Sequence, residues 1–165
     1  MKKALVFTVF AVFTAIIFAA CLKNVTNTVA TGDCTPVAPS SEEAAIKAFC
    51  NKDTATYTKD TSYIYYHIVD SGSGPVAATT IFFKYKATLL DGTLLSQSTQ
   101  PTSYPIVNLI KGFQDMARFY KKGARLFLVI PSALAYSCEG AVSNGTYVIP
   151  PNSILYYDIE ITDVQ

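Results

Sequence analysis

The sequence predicts an α+β domain in which an antiparallel sheet wraps one helix, and three observations carry that expectation. After Pro150-Pro151, Leu155, Tyr157, Ile159 and Ile161 fall on one side at period two, while Tyr156, Asp158, Glu160 and Thr162 fall on the other, as in a half-buried strand. Ile81, Phe83, Tyr85, Ala87 and Leu89 alternate in the same way with Phe82, Lys84, Lys86 and Thr88, up to the turn at Asp91-Gly92. Only Ile110 to Lys122 has helical periodicity in the body of the chain, with Ile110, Phe113, Met116 or Ala117, and Tyr120 recurring at three- or four-residue steps before Gly123.

From the start of the chain, Met1-Lys2-Lys3 precedes an uncharged apolar run, Ala4 to Ala20, the pattern of a signal peptide over residues 1–20. The run is also nearly long enough to span a bilayer, so an uncleaved anchor is one alternative to a lipoprotein and an ordinary secreted protein the other. Phe18-Ala19-Ala20-Cys21 resembles a bacterial lipobox, with Phe18 where Leu is usual. Cys21 is therefore expected to carry a lipid that anchors the protein to a membrane of the cell envelope. Residues 21–40, rich in Thr, Asn, Val, Ala, Pro and Ser without sustained periodicity, read as a tether.

Residues 41–59 are expected to form an extra N-terminal helix and its connection. Ser40 stands three residues before Glu43 as in a capping box, and Ile46, Phe49 and Cys50 share one face. That face either packs on the outside of the domain or meets a partner. The domain itself is placed at residues 60–165. Thr61 to Asp70 is aromatic and β-branched, a strand ended by Ser71-Gly72-Ser73-Gly74-Pro75. Leu94 and Leu95 continue on a return strand, and the polar, proline-containing stretch Ser96 to Pro105 reads as an irregular surface connection. Arg125 to Ile130 is an apolar strand closed by Pro131. Pro150 and Pro151 are expected to hold a rigid extended lead into the last strand and to press Ile149 against its aromatic face.

Half of the residues are hydrophobic and 15% are charged, which excludes a disordered chain. The formal net charge is +1, and Lys2 and Lys3 supply more than that excess, so there is no nucleic-acid footprint. With Cys21 assigned to lipid, Cys34, Cys50 and Cys138 remain in an oxidising compartment. A Cys34–Cys50 bridge closing a short loop and free thiols are the two readings. The single histidine, His67, reads as a packed or surface residue, and no cysteine spacing matches a zinc site. Asn144-Gly145-Thr146 matches a glycosylation sequon, a reading that a bacterial lipobox makes weak.

No nucleophile, base and orienting acid assemble from this sequence. It supplies instead aromatic and aliphatic residues at the ends of elements. Tyr85-Lys86-Ala87-Thr88-Leu89-Leu90-Asp91-Gly92-Thr93, then Leu109-Ile110-Lys111-Gly112-Phe113, then Ile130-Pro131-Ser132-Ala133-Leu134-Ala135-Tyr136, and then Ile149-Pro150-Pro151-Asn152-Ser153 resemble, in order, the FK506-binding-protein (FKBP) type of peptidyl-prolyl isomerase. The resemblance covers roughly residues 60 to 164 and implies a half-barrel wrapped on one short helix. It also implies that Tyr85, Phe113, Tyr136 and Tyr157 form the catalytic walls, with Phe113 as the floor. Leu95, Ser96, Tyr104, Leu109, Ile110 and Ile149 would complete the substrate site, with the Ile110 N–H and the Tyr136 hydroxyl donating to ligand carbonyls.

The implied partners are proline-containing polypeptides of exported proteins and FK506-type macrolides, with no cofactor. Rotation about an Xaa-Pro bond breaks amide resonance against a barrier of roughly 18 to 20 kcal/mol, and an apolar pocket that prefers the less polar twisted amide lowers it. Phe113 stands where the family usually has tryptophan, Leu95 where it has phenylalanine, and Ser96 where it has aspartate. The segment from Ser137 to Val148 is longer than in the small human-type members. A weakly catalytic or non-catalytic binding module is therefore the rival to an isomerase, and a purely structural envelope lipoprotein the third reading.

Overall fold

Alternation of apolar and polar side chains obliges each strand to bury one face, and the computed structural model, which describes residues 34–165, shows how this chain does so. Helix α1 (Pro39–Cys50) precedes β1 (Thr58–Lys59), β2 (Tyr65–Asp70), β3 (Thr80–Leu89) and β4 (Leu94–Pro105). Helix α2 (Lys111–Asp115), β5 (Arg125–Ile130), β6 (Ala141–Ser143), β7 (Thr146–Ile149) and β8 (Leu155–Val164) follow. Six strands form one antiparallel sheet in the order β1-β2-β5-β8-β3-β4, and β6 pairs with β7 in a separate hairpin.

The inner face of the sheet carries Ile81, Phe83 and Ala87 from β3, Leu126, Leu128 and Ile130 from β5, and Leu155, Tyr157, Ile159 and Ile161 from β8. These residues pack on Phe113 and Met116, which are 2% and 0% exposed. Gly112 permits this approach, because a β-carbon there would overlap the Ile130 side chain. The half-barrel wrapped on a short helix is thus the fold observed.

The outer face is covered by α1, where Ile46 and Cys50 are buried against Tyr65 and Val129, and Phe49 meets Tyr156 with ring centroids 5.3 Å apart. The shared face of Ile46, Phe49 and Cys50 therefore packs on the domain. Its cap differs from the expected box. Ala38 is the N-cap with Pro39 first in the helix, and no side chain caps it. Glu43 instead accepts hydrogen bonds from Tyr65 Oη at 2.9 Å and Lys59 Nζ at 3.1 Å and pairs with Lys47 at 2.9 Å. Tyr65 and Lys59 lie on the sheet and Lys47 one turn along the helix, and together they outcompete a local cap.

Four further expectations are corrected. The stretch Ser96 to Pro105 is regular strand, paired with β3 from Thr80↔Pro105 to Thr88↔Leu94 with two register shifts. It lies at the sheet edge, where proline costs no ladder bond on the open side and polar residues face water. The helix expected from Ile110 to Lys122 ends at Asp115 and gives way to a 3-10 turn at Ala117–Phe119. Tyr120 then turns out of helical geometry (φ −81°, ψ 96°), its carbonyl accepting from the Ala77 N–H at 2.8 Å while its side chain is fully buried. Pro150-Pro151 opens a turn rather than an extended lead, with Asn152 at φ 55° and Ser153 Oγ donating to the Pro150 carbonyl at 2.7 Å.

The fourth correction concerns the cysteines. Cys34 is bonded to Cys138, with α-carbons 5.3 Å apart, and Cys50 is a buried free thiol. Cys50, at the far end of α1, is turned onto the sheet and buried against Tyr65 and Val129, while Cys34 is held at the loop after β5. Residues 1–33, with the signal peptide and Cys21, lie outside the described residues. His67 sits on the outer face, its Nδ1 2.8 Å from the Thr56 carbonyl and its ring beside Tyr57 and Phe127.

A disulfide closing so long a loop is worth about 4.7 kcal/mol in the loop-entropy model. Non-reducing peptide mapping is expected to recover the Cys34–Cys138 peptide. Burial pushes the Cys50 thiol up to about 11, so alkylation should label Cys50 only after unfolding. Rapid labelling of Cys50 in the folded protein would contradict this packing.

Candidate functional site

The inner strands end around a pocket of about 560 Å³ whose walls come from six parts of the chain. Period two puts Phe83, Tyr85 and Ala87 on the same side of β3, and the β3–β8 ladder sets Ala87 opposite Tyr157. Phe113, in the first turn of α2, forms the floor. Its ring packs edge-to-face with Tyr157 (centroids 4.8 Å apart, 85°) and touches Phe83 at 5.8 Å and Tyr120 at 6.3 Å. Phe83 in turn leans on Tyr85 at 5.4 Å and Tyr104 at 5.7 Å.

Ile110 immediately precedes α2, and its carbonyl accepts from the Phe113 N–H at 2.9 Å. Its own N–H belongs to the helix's opening donors, which have no intrahelical acceptor. Gln114 fixes the preceding loop by donating from Nε2 to the carbonyls of Leu109 at 2.8 Å and Val107 at 3.2 Å. Tyr136, 36% exposed, lines another wall after the 3-10 turn Ser132–Leu134. Ile149, the last residue of β7, closes one side, and Gly140 (φ +64°), just before β6, lies where a β-carbon would overlap the Ile149 carbonyl.

Tyr85, Phe113, Tyr136 and Tyr157 all line this one pocket, and so do Leu95, Ser96, Tyr104, Leu109, Ile110 and Ile149. Phe83, Ala87, Asn108, Ala141, Ser143 and Val148 line it as well and were not anticipated. Phe83 could have been found from its alternation with Tyr85. Ala141, Ser143 and Val148 belong to a hairpin whose signal was Asn144-Gly145, both at positive φ as a tight two-residue turn requires, within the stretch that also matches a sequon.

The polar groups of the site are few and neutral. The Tyr85 hydroxyl and Ser96 Oγ are 3.1 Å apart, across the β3–β4 pair. Burial first, and then the neighbouring Tyr85 and Tyr104 hydroxyls, push the Tyr136 hydroxyl above its usual range. Burial likewise drives Tyr157 well up, with Tyr136 and Tyr85 adding to the shift. Both remain protonated donors at neutral pH. The arrangement offers an apolar, aromatic slot with hydroxyl donors at its rim and, among its lining residues, no general base to activate Ser96 or Ser143 as a nucleophile.

Comparison with known proteins places this geometry. Residues 72–162 match the family model described as FKBP-type peptidyl-prolyl cis-trans isomerase. The chain is 34% identical over 119 residues to the FKBP-type peptidyl-prolyl cis-trans isomerase FkpA of Escherichia coli strain K12, an alignment covering 69% of this chain and 42% of that protein. It thus spans less than half the length of that curated relative. Among solved structures it is similar to a peptidyl-prolyl cis-trans isomerase of Pseudomonas syringae pv. tomato (TM-score 0.62, 27% identity, 78% of this chain and 96% of that one). It is equally similar to FkpA of Escherichia coli (TM-score 0.62, 29% identity, 76% of this chain and 58% of that one).

Raised folded-state values for Tyr157 and the fully buried Tyr120 mean that their stabilising contribution is complete below the ordinary tyrosine value of about 10 and is lost as pH rises through the shifted values. In an alkaline absorbance titration these tyrosines are expected to ionise late, together with loss of the circular-dichroism signal of the fold. Ionisation of all tyrosines near pH 10 in a protein still folded would contradict their burial.

Proposed function

The chain belongs to the family of FKBP-type peptidyl-prolyl cis-trans isomerases, and from that premise we propose that its aromatic pocket accelerates Xaa-Pro isomerisation in exported polypeptides. The observation that carries this reading is the convergence of Tyr85, Phe113, Tyr136 and Tyr157 on one slot floored by an aromatic ring. The pyrrolidine ring of the substrate rests on Phe113 between Tyr85 and Tyr157. An amide held there in a dry surround loses the solvation that favours its planar, charge-separated form. The twisted amide, with less charge separation, loses less. The Tyr136 hydroxyl and the Ile110 N–H donate to carbonyls of the bound peptide and fix its orientation, with Leu95, Tyr104, Leu109 and Ile149 as flanking walls.

Ser96 supports a second reading. Its hydroxyl partners Tyr85 without placing a charge beside the rotating bond, where the family resemblance leads one to expect an aspartate. A pocket so altered binds prolyl peptides while accelerating them little, as a holding module does. In both readings Cys21 carries lipid and the tether expected over residues 21–40 leads to an envelope membrane, shortened at its far end because Cys34 is bonded to Cys138 and α1 begins at Pro39. The apolar run and the lipobox-like Phe18-Ala19-Ala20-Cys21 support the anchor. Among the described residues no helix is long and apolar enough to cross a membrane.

The experiment is isomerisation of an Xaa-Pro peptide by residues 22–165, with and without an FK506-type macrolide. Acceleration that the macrolide abolishes is expected. Tyr136→Phe should lower kcat/KM about two- to tenfold, the span of one neutral hydrogen bond. Phe113→Ala should lower it by about tenfold or more through lost aromatic packing. Unchanged rates in both folded variants would remove the site assignment. Macrolide binding without acceleration, reversed by Leu95→Phe with Ser96→Asp, would favour the holding module.

A further inference from the structure

The segment preceding the matched family residues is fastened to the loop that carries Tyr136, at two points. Cys138, two residues after Tyr136, is bonded to Cys34, which lies five residues ahead of α1. In the first turn of α1, Glu42 is 8% exposed, and its Oε2 accepts the Ser132 N–H at 2.8 Å in a buried hydrogen bond. Ser132 is fully buried, and its carbonyl accepts the N–H of Ala135 at 3.0 Å and of Ser137 at 2.8 Å, the two residues that flank Tyr136.

The loop needs such fastening. Ser137 is held at φ 53°, a left-handed conformation that a residue with a β-carbon adopts at a cost and keeps only where its surroundings impose it. Within the domain, the Gly140 N–H donates to the Tyr136 carbonyl at 3.0 Å and the Asn152 N–H to the Ser137 carbonyl at 2.8 Å. Those bonds restrain the loop from the pocket side. The disulfide and Glu42 restrain it from outside, through residues upstream of the matched region that begins at residue 72.

We propose that Glu42 and the Cys34–Cys138 bridge are positioning elements for the isomerase reaction, holding the Ser132–Cys138 loop so that the Tyr136 ring and hydroxyl meet the substrate. The inference rests on the reading of the pocket as an isomerase site, and the two fail separately in the following test. In the full chain, in mild detergent, Glu42→Ala is expected to lower kcat/KM about tenfold, as small misplacements of positioning groups do. Glu42→Gln, which keeps an oxygen acceptor, should stay within about twofold of the parent. The paired change Cys34→Ser with Cys138→Ser should act in the same direction as Glu42→Ala.

The decisive measurement repeats Glu42→Ala in a Tyr136→Ala background. If Glu42 acts through Tyr136, the second change costs less than about twofold further, whereas an equal loss in both backgrounds reduces Glu42 to general support and overturns the proposal. If the parent chain shows no isomerisation at all, the isomerase reading fails by itself. Amide hydrogen exchange at Ser132 and Ser137 then reads the brace directly. Exchange quickened by Glu42→Ala, or by the paired cysteine change should Glu42→Ala not fold, sustains the brace, and exchange left unchanged overturns it.

Discussion

The pocket depends first on the edge-to-face packing of Phe113 and Tyr157. It joins the opening turn of α2 to the middle of the sheet. Tyr157 has little freedom, because β8 is paired on both sides, with Leu128 opposite on β5 and Ala87 opposite on β3. Helix α2 is only five residues long and gains its position from outside itself, through Gly112 against Ile130 and the Gln114 side chain on the preceding loop. Floor and walls are thus set by different restraints that meet at one contact. A phenyl ring at 113 is smaller than an indole, so the floor defined by this contact lies deeper than tryptophan would put it.

Inward-facing strand residues were legible because a buried face imposes period two, and Tyr85, Leu155, Tyr157 and Ile161 could be placed from alternation alone. Edge strand β4 was not, since water satisfies its open side and nothing selects an alternating pattern there. The early end of α2 was hidden for a different reason. The Tyr120 carbonyl is captured by the Ala77 N–H, a long-range bond that local periodicity cannot register. Cysteine pairing has the same character, as Cys34 meets Cys138 only after the sheet has formed. Of the pocket, Tyr85, Leu109, Ile110, Phe113, Tyr136 and Ile149 were legible from four ordered motifs, whereas Phe83, outside them, was missed. Asn108, Ala141 and Ser143 were not legible, because small and polar residues carry no pattern that marks them as lining.

Electrically the site is quiet, and this shapes what it can discriminate. Tyr85 and Ser96 satisfy one another as neutral hydroxyls, and Tyr136 and Tyr157 are kept protonated by burial. No fixed charge among the lining residues favours one amide rotamer over another. On the proposed reading, preference for a twisted amide comes from exclusion of water and from donors aimed at carbonyls, both of which depend on geometry. Small displacements of a wall then matter more than they would in a charged site.

That requirement gives the outer face of the sheet a part in the inner one. Neighbouring residues on a strand point to opposite sides but share a backbone, so Val129 and Tyr156, packed against α1, lie next to Leu128 in the inner core and Tyr157 at the pocket. Phe49 on Tyr156 and Ile46 on Val129 consequently restrain the same two strands from behind. The Glu42 carboxylate extends this backing beyond the end of β5 to Ser132, where the sheet gives way to the loop bearing Tyr136. Helix α1 thus supports a wall that the β-ladders leave unsupported, since Tyr85 and Tyr157 are held by strand pairing and Phe113 by the core, whereas Tyr136 stands on irregular backbone.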